Sequence, residues 1–263
     1  MISDLAYIHP EAELGKNVVV EPFSYIDKNV VIGDNTVVGP NATILSGSRI
    51  GKNCQIFPGA TIGAIPQDLK FEGEDSLAIL GDYVVVRENV TVNRGTKASG
   101  QTIVGNHVLL MANAHVAHDC IVHDHAILVN NVALAGHVEI GEWTILGGLS
   151  AVHQFVKIGP HVMVSGGSLV RKDIPPYIKV AKEPLQYTGI NSIGLRRRGF
   201  TNEKIREIQD IYRALYLKGM NISQALEYIE KEIPASYERD LILDFVKNSV
   251  RGIVRGKFLT SEK

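Results

Sequence analysis

The chain has two cysteines in 263 residues, Cys54 and Cys120. So few exclude a disulfide-stapled scaffold and fit a reducing compartment, so a cytoplasmic location is expected. No run approaches the ~20 apolar residues of a membrane-spanning helix, and no membrane span is expected. The stretch Met1 to Pro10 has neither a basic flank nor an apolar core, so nothing there reads as a secretion signal. Net charge is only −1, without the basic excess that holds a phosphate backbone, and nucleic acid is not an expected partner. What is present is enough apolar residue, 45%, to bury a full core.

The charge is unevenly spread. Arg171 to Lys263 carry 18 Lys and Arg against 12 Asp and Glu, while residues 1–170 carry 9 against 16. A basic last third on an acidic body suggests that an acidic partner docks there.

A period of six dominates the rest. Stepping from Leu14 gives Val20, Ile26, Ile32, Val38, Ile44, Ile50, Ile56 and Ile62, then Leu80, Val86 and Val92, then an unbroken series from Val104 to Val170. Every member is Ile, Leu or Val. Two residues before each step stands a small or β-branched residue (Ser24, Thr36, Ala42, Cys54, Ala114, Cys120), as a tight corner requires. Glycine often follows the aliphatic residue, as at Gly15, Gly33, Gly39 and Gly105, where a turn with positive φ is expected. Short strands punctuated at this period predict a solenoid, a parallel β-helix in the form of a triangular prism.

The pattern resembles the hexapeptide-repeat acyltransferases. The resemblance implies three faces, 18 residues per coil and a left-handed winding, against the usual right-handed crossover. The step fails twice, over Gly63–Ile79 and Asn93–Thr102, and excursions from a rigid repeat are where binding groups tend to sit. After Val170 the repeat fades. A helical period follows from Thr201 (Ile205, Ile208, Tyr212, Leu215), again through Leu226, Ile229 and Ile233, and again through Leu241, Phe245 and Val246. Residues 1–190 are expected as the mainly β prism and 191–263 as a small α-helical C-terminal domain.

Eighteen residues per coil makes a ruler. His118 falls beneath Gly136, and Gly136 beneath Gln154; Asp119 falls beneath His137, and His153 is one residue from the same column. Imidazole is the side chain that titrates near neutrality, so a column of them beside a glycine reads as a site. Three chemistries fit it. His118 could be a general base, with Asp119 to orient it and the Gly136 N–H to stabilise an oxyanion. Three histidines could hold zinc with an open position, as in carbonic anhydrases built on a similar prism. The prism could also be a scaffold for assembly alone. No serine or cysteine nucleophile stands beside the column, so a covalent acyl-enzyme is not suggested.

Three stretches carry a closer resemblance: Asn113 to Cys120, Leu134 to Val138 and Ala151 to Phe155. With Pro66 to Lys70, Asp173 to Tyr177 and Arg197 to Phe200, they are similar to the UDP-N-acetylglucosamine acyltransferases that open lipid A synthesis. The resemblance implies transfer of a 3-hydroxyacyl group from acyl carrier protein to the 3-position of the sugar. It implies no cofactor beyond the phosphopantetheine of that carrier, no metal, and a homotrimer with sites between neighbouring prisms.

Carried over residue by residue, His118 is the base, Asp119 its neighbour and Gly136 the oxyanion donor. Asp68, Lys70, His115 and His137 position the sugar and acyl donor, and His153 and Gln154 contact the nucleotide. Asn191, Arg197 and Arg198 hold diphosphate or uridine, where a guanidinium fork suits phosphate. Gly148 and Gly166, 18 apart, leave an acyl groove, and glycine at 166 implies a chain of ~14 carbons or more, each buried methylene contributing ~0.8 kcal/mol. Ile193 stands where the family pattern leads one to expect a carboxylate, and some relatives acylate an amine in place of the 3-hydroxyl.

Overall fold

The computed structural model describes residues 1–217 and 219–256. Short parallel strands, mostly two residues long, wind into three sheets of nine, eight and ten strands. Face 1 runs from Tyr7–Ile8 to Leu169–Val170, face 2 from Glu13–Leu14 to Lys157–Ile158, and face 3 from Val19–Val20 through Met163–Val164. Strands 18 residues apart pair in register, as His115 with Ala133 and Val116 with Leu134. The prism is the expected left-handed parallel β-helix.

The aliphatic series fills the interior. Ile26, Ile44, Ile62, Leu110, Leu128 and Leu134 are fully buried, each contributing ~1.5–3 kcal/mol by leaving water. The small residues two places earlier line the corners, and the polar ones solve a backbone problem there. The Ser24 hydroxyl donates to the Gly39 carbonyl at 2.9 Å, Thr36 to Gly51 at 2.9 Å and Thr144 to Gly159 at 2.8 Å, each on the next coil. Cys54 and Cys120 occupy the same slots, buried and free.

One expectation about the corners is corrected. Gly15, Gly33, Gly39 and Gly105 do not take positive φ, though Gly63 at the first break does; along the regular coils the left-handed position falls two residues later, at Asn17, Asn29, Asn35, Asn41, Asn113 and Asn131 among others. Asparagine tolerates that conformation better than most side chains. Glycine is needed for close approach instead: a Cβ at Gly33 would lie 2.8 Å from the Gly51 oxygen, and one at Gly105 2.9 Å from the Asp124 nitrogen.

Both excursions leave face 1 and return to face 2, so they hang from one edge of the prism. Beyond Val170, strand Ile178–Ala181 extends face 3 and pairs antiparallel with Gln186–Ile190, a hairpin the repeat did not foretell. Among the described residues four helices follow: α1 (Ser192–Arg197), α2 (Asn202–Leu217), α3 (Ile222–Glu232) and α4 (Tyr237–Lys247). The last three match the expected helical periods, and α1 was not anticipated. Asn221 and Ser236 cap α3 and α4, and α3 opens with a full capping box. The helices dock on the prism through the buried Tyr212 hydroxyl, which donates to Pro176 at 2.6 Å, and through Ser249, which donates to Asp173 at 2.6 Å. Of the basic last third, Lys218, Lys257 and Lys263 lie outside the described residues, as does Glu262.

Candidate active site

The edge between faces 1 and 2 carries the polar cluster. His118 and Asp119 occupy the turn after strand His115–Val116, with side chains 9% and 0% exposed. The His118 Nδ1–H donates to Asp119 Oδ2 at 2.8 Å. Asp119 sits in the left-handed turn position, φ 59°, which turns its carboxylate toward the second excursion. There Oδ2 accepts the Thr96 hydroxyl at 2.7 Å, while Oδ1 accepts the Thr96 N–H at 3.1 Å and the Ser99 N–H at 3.3 Å. The Ser99 hydroxyl also donates to Oδ1. Burial alone would raise this carboxyl, but the bonds from Ser99, His118 and Thr96 outweigh it and hold it down to about 2.

Gly136 stacks directly over His118: a Cβ there would lie 2.6 Å from Nε2. His137, the next turn residue, meets the His118 ring edge-on at 5.2 Å and stacks on Phe155 at 4.5 Å. Its Nε2 lies 3.7 Å from Asp119 Oδ2. Burial lowers the His137 pKa, with Asp119 opposing and the charges of Asp68 and Lys70 on the first excursion also acting on it. His115 shares a 2.7 Å hydrogen bond with Thr91, and burial, then His118, lower its pKa.

His153 and Gln154 lie one coil further along the same edge, but the His153 Nδ1 sits 3.2 Å from the Gln154 carbonyl oxygen and its ring does not join the other two. Within this column, the imidazoles in ring contact among the described residues are those of His118 and His137. Among the described residues, the grouping near enough to share an ion is His118, Asp119 and His137. It is not a three-histidine set, and its carboxylate already accepts bonds from Thr96, Ser99 and His118.

The remaining residues of the expected site lie elsewhere in the chain. Asn191 and Arg198 stand at the edge between faces 2 and 3. The Asn191 amide donates to the His161 carbonyl at 2.9 Å, and its oxygen caps α1. Arg198 donates to the Trp143 carbonyl at 2.9 Å and lies over that ring. Arg197 and Ile193 are exposed on α1. Gly148 and Gly166 stack at the third edge, a Cβ on Gly166 meeting the Gly148 oxygen at 3.1 Å. At ~3.3 Å per residue, six residues per face separate neighbouring edges by up to ~20 Å. One chain does not bring these three groups together. Thr96 and Ser99 were not singled out from the sequence; the only signal was the gap in the repeat that contains them.

A buried His–Asp pair lies against a bare glycine on the edge of the prism, and comparison with known families places that prism among the hexapeptide transferases. Family models agree: bacterial transferase hexapeptide repeats match residues 101–136, the UDP-N-acetylglucosamine O-acyltransferase second domain matches 173–254, and the GMPPB C-terminal domain matches 2–103. An acyl-[acyl-carrier-protein]–UDP-N-acetylglucosamine O-acyltransferase of Trichlorobacter lovleyi is 52% identical over 255 residues, 95% of this chain and 98% of that one. Its namesake in Sulfurihydrogenibium is 55% identical over 253 residues, covering 96% and 93%. The crystal structure of a UDP-N-acetylglucosamine acyltransferase from Bacteroides fragilis superposes with a TM-score of 0.96 at 56% identity, covering 97% of this chain and all of that one. The chain belongs to the acyl-[acyl-carrier-protein]–UDP-N-acetylglucosamine O-acyltransferase family, and it is an acyltransferase.

Proposed function

We propose that the protein transfers a 3-hydroxyacyl group from acyl carrier protein to the 3-hydroxyl of UDP-N-acetylglucosamine, the first step of lipid A synthesis, in the cytoplasm. The observation that carries this reading is the 2.8 Å bond from His118 Nδ1 to Asp119. A carboxylate only accepts, so Nδ1 keeps its proton and Nε2 is left as the base.

In this mechanism Nε2 takes the proton of the sugar hydroxyl as its oxygen attacks the thioester carbon. The tetrahedral oxyanion is stabilised by the Gly136 N–H, on a residue with no side chain of its own. When the intermediate collapses, the imidazolium returns its proton to the departing phosphopantetheine thiolate. Asp119, held near pKa 2, stays ionised throughout and stabilises the transient imidazolium. His115 and His137, both biased toward neutrality, and Asp68 and Lys70 orient the two substrates; His153 and Gln154 reach the nucleotide. No cofactor of the protein's own takes part.

The active form is a homotrimer. Support comes from the three edges: the base, the residues carried over for the nucleotide, and the glycine pair each lie on a different one, so one substrate can meet all three only between copies. Face 3 turns Val37, Val85, Leu109, Ile127 and Ile145 outward, an apolar surface suited to a partner. The acidic carrier protein docks on the basic last third.

The test is incubation with UDP-N-acetylglucosamine, or its 3-amino analogue, and a panel of 3-hydroxyacyl carrier proteins, with mass analysis of the product. Product from the amino sugar alone would move the acceptor to an amine. Activity abolished by a chelator and restored by zinc would overturn the general-base mechanism.

A further inference from the structure

We propose that Thr96 and Ser99 are positioning residues for proton transfer at His118, and that Glu74 bolts the loop bearing Asp68 and Lys70 to them. The inference rests on the general-base reading above. It starts from a mechanical need. A carboxylate turns easily about its last torsion, which is broad and two-fold, and a base aimed by a turning carboxylate is itself poorly aimed.

The second excursion removes that freedom. Thr96 grips both carboxylate oxygens at once, its hydroxyl on Oδ2 at 2.7 Å and its N–H on Oδ1 at 3.1 Å. Two-point contact fixes the carboxylate plane, as charge-assisted pairs of bonds do. Ser99 adds its N–H and hydroxyl to Oδ1, and the Asp119 N–H donates to Thr102 Oγ1 at 2.8 Å. With these donors in place Oδ2 has one remaining direction, toward Nδ1 of His118, so the tautomer with Nε2 bare is selected.

The same excursion is tied to the first. Glu74 Oε1 accepts the Lys97 N–H at 2.8 Å, one residue from Thr96, and its Oε2 accepts the Glu72 N–H at 2.9 Å. Lys97 Nζ lies 3.6 Å from Glu72, an exposed pair of little worth by itself. Glu74 stands four residues from Lys70, so the loop that meets the sugar is registered to the loop that aims the base.

Removing the donors has an electrostatic consequence. Burial, the largest influence on Asp119 and now less opposed, raises its pKa. His118 and His137 face Asp119 directly, and Asp68 and Lys70 act in turn on His137. Protonated Asp119 releases His118, so the acid limb of the kcat profile moves to higher pH.

The experiment compares Thr96→Val, Ser99→Ala, their double variant, Thr96→Ser and Glu74→Ala with the unaltered chain. The double variant is expected to lose ~10–10²-fold in kcat, part of the ~10²–10⁴-fold worth of a general base, with little change in KM. Its acid limb shifts upward, and Thr96→Ser restores most of the loss. Glu74→Ala is expected to raise KM for the sugar nucleotide. Nitrogen-15 NMR of the imidazoles gives a readout free of substrate: one His118 tautomer in the unaltered chain, a mixture in the double variant. Unchanged kcat, pH limb and His118 signals in a folded double variant would overturn the proposal. Absence of turnover in the unaltered chain would instead overturn the functional reading, and the NMR comparison would still decide the positioning role.

Discussion

The His118 ring and the backbone of Gly136 fill one column with no room between them: a Cβ on residue 136 would stand 2.6 Å from Nε2 and 3.1 Å from Nδ1. Gly136→Ala must therefore displace the imidazole, since the chain above is fixed by the ladder through Leu134 and Val152. A displacement of ~1 Å costs about 10²-fold in rate. Steady-state kinetics should show that loss in kcat, with the thermal midpoint little changed because the aliphatic core is untouched. Turnover near that of the unaltered chain would mean that the ring and the glycine are not one catalytic unit.

The base itself can be removed with less disturbance. His118→Ala leaves Asp119 with its Thr96 and Ser99 donors, so the carboxylate stays satisfied and the fold should persist. The expected outcome is a ~10²–10⁴-fold fall in kcat. Circular dichroism and the oligomeric state of the same sample check that the loss is chemical.

How much of this was readable beforehand depends on range. The prism is built from contacts one coil apart, so a six-residue period in Leu14, Val20 and their successors was sufficient to define it. The same ruler placed His118, Gly136 and His137 together, because all three lie on unbroken coils. It missed Thr96 and Ser99, whose hydroxyls sit in a gap where no period says which way the chain turns. It also overcounted: His153 has the right spacing, but spacing does not fix a rotamer. Glycine at 33 and 105 answers the close approach of stacked coils, which a local turn pattern does not reveal. Six-residue α1 was too short for a helical period to register.

Acid should unfold the protein in two stages, set by different groups. Burial, then Arg198, depresses His161 to about 4 from an ordinary 6.5, between the stacked Tyr177 and the edge-on Phe200. The unfolded chain takes up that proton first, so stability present above ~6.5 is lost as pH falls toward 4. Asp119, depressed from 3.8 to about 2, holds its contribution above ~4 and loses it as pH falls through 2. Thermal midpoints measured from pH 7 to pH 2 should flatten in the upper window for His161→Phe and in the lower window for Asp119→Asn. An identical slope in the unaltered chain and both variants would contradict these assignments.

Chain length should be set at Gly166. A Cβ on Gly166 would lie 3.1 Å from the Gly148 oxygen, so a methionine there would fill the space beside the two glycines. The unaltered chain is expected to favour donors of ~14 carbons or more, since each extra buried methylene contributes ~0.8 kcal/mol. Gly166→Met should invert the order toward shorter donors while sparing kcat for the shortest. Equal or better activity of the unaltered chain with a 10-carbon donor would refute the groove.

Division of the site among copies has a sharp test. His118→Ala disables the edge between faces 1 and 2, and the double variant Arg197→Ala/Arg198→Ala disables the group at the edge between faces 2 and 3. If both edges belonged to one chain's site, every site in a mixture would carry one defect and activity would stay absent. If neighbouring copies supply them, random mixing after co-expression leaves roughly a quarter of the sites with both edges intact. Recovery of about that fraction in the mixture, with neither variant active alone, is the expected outcome. A mixture as inactive as its parts would place the whole site within a single prism, and the carried-over roles of Arg197 and Arg198 would then have to be abandoned.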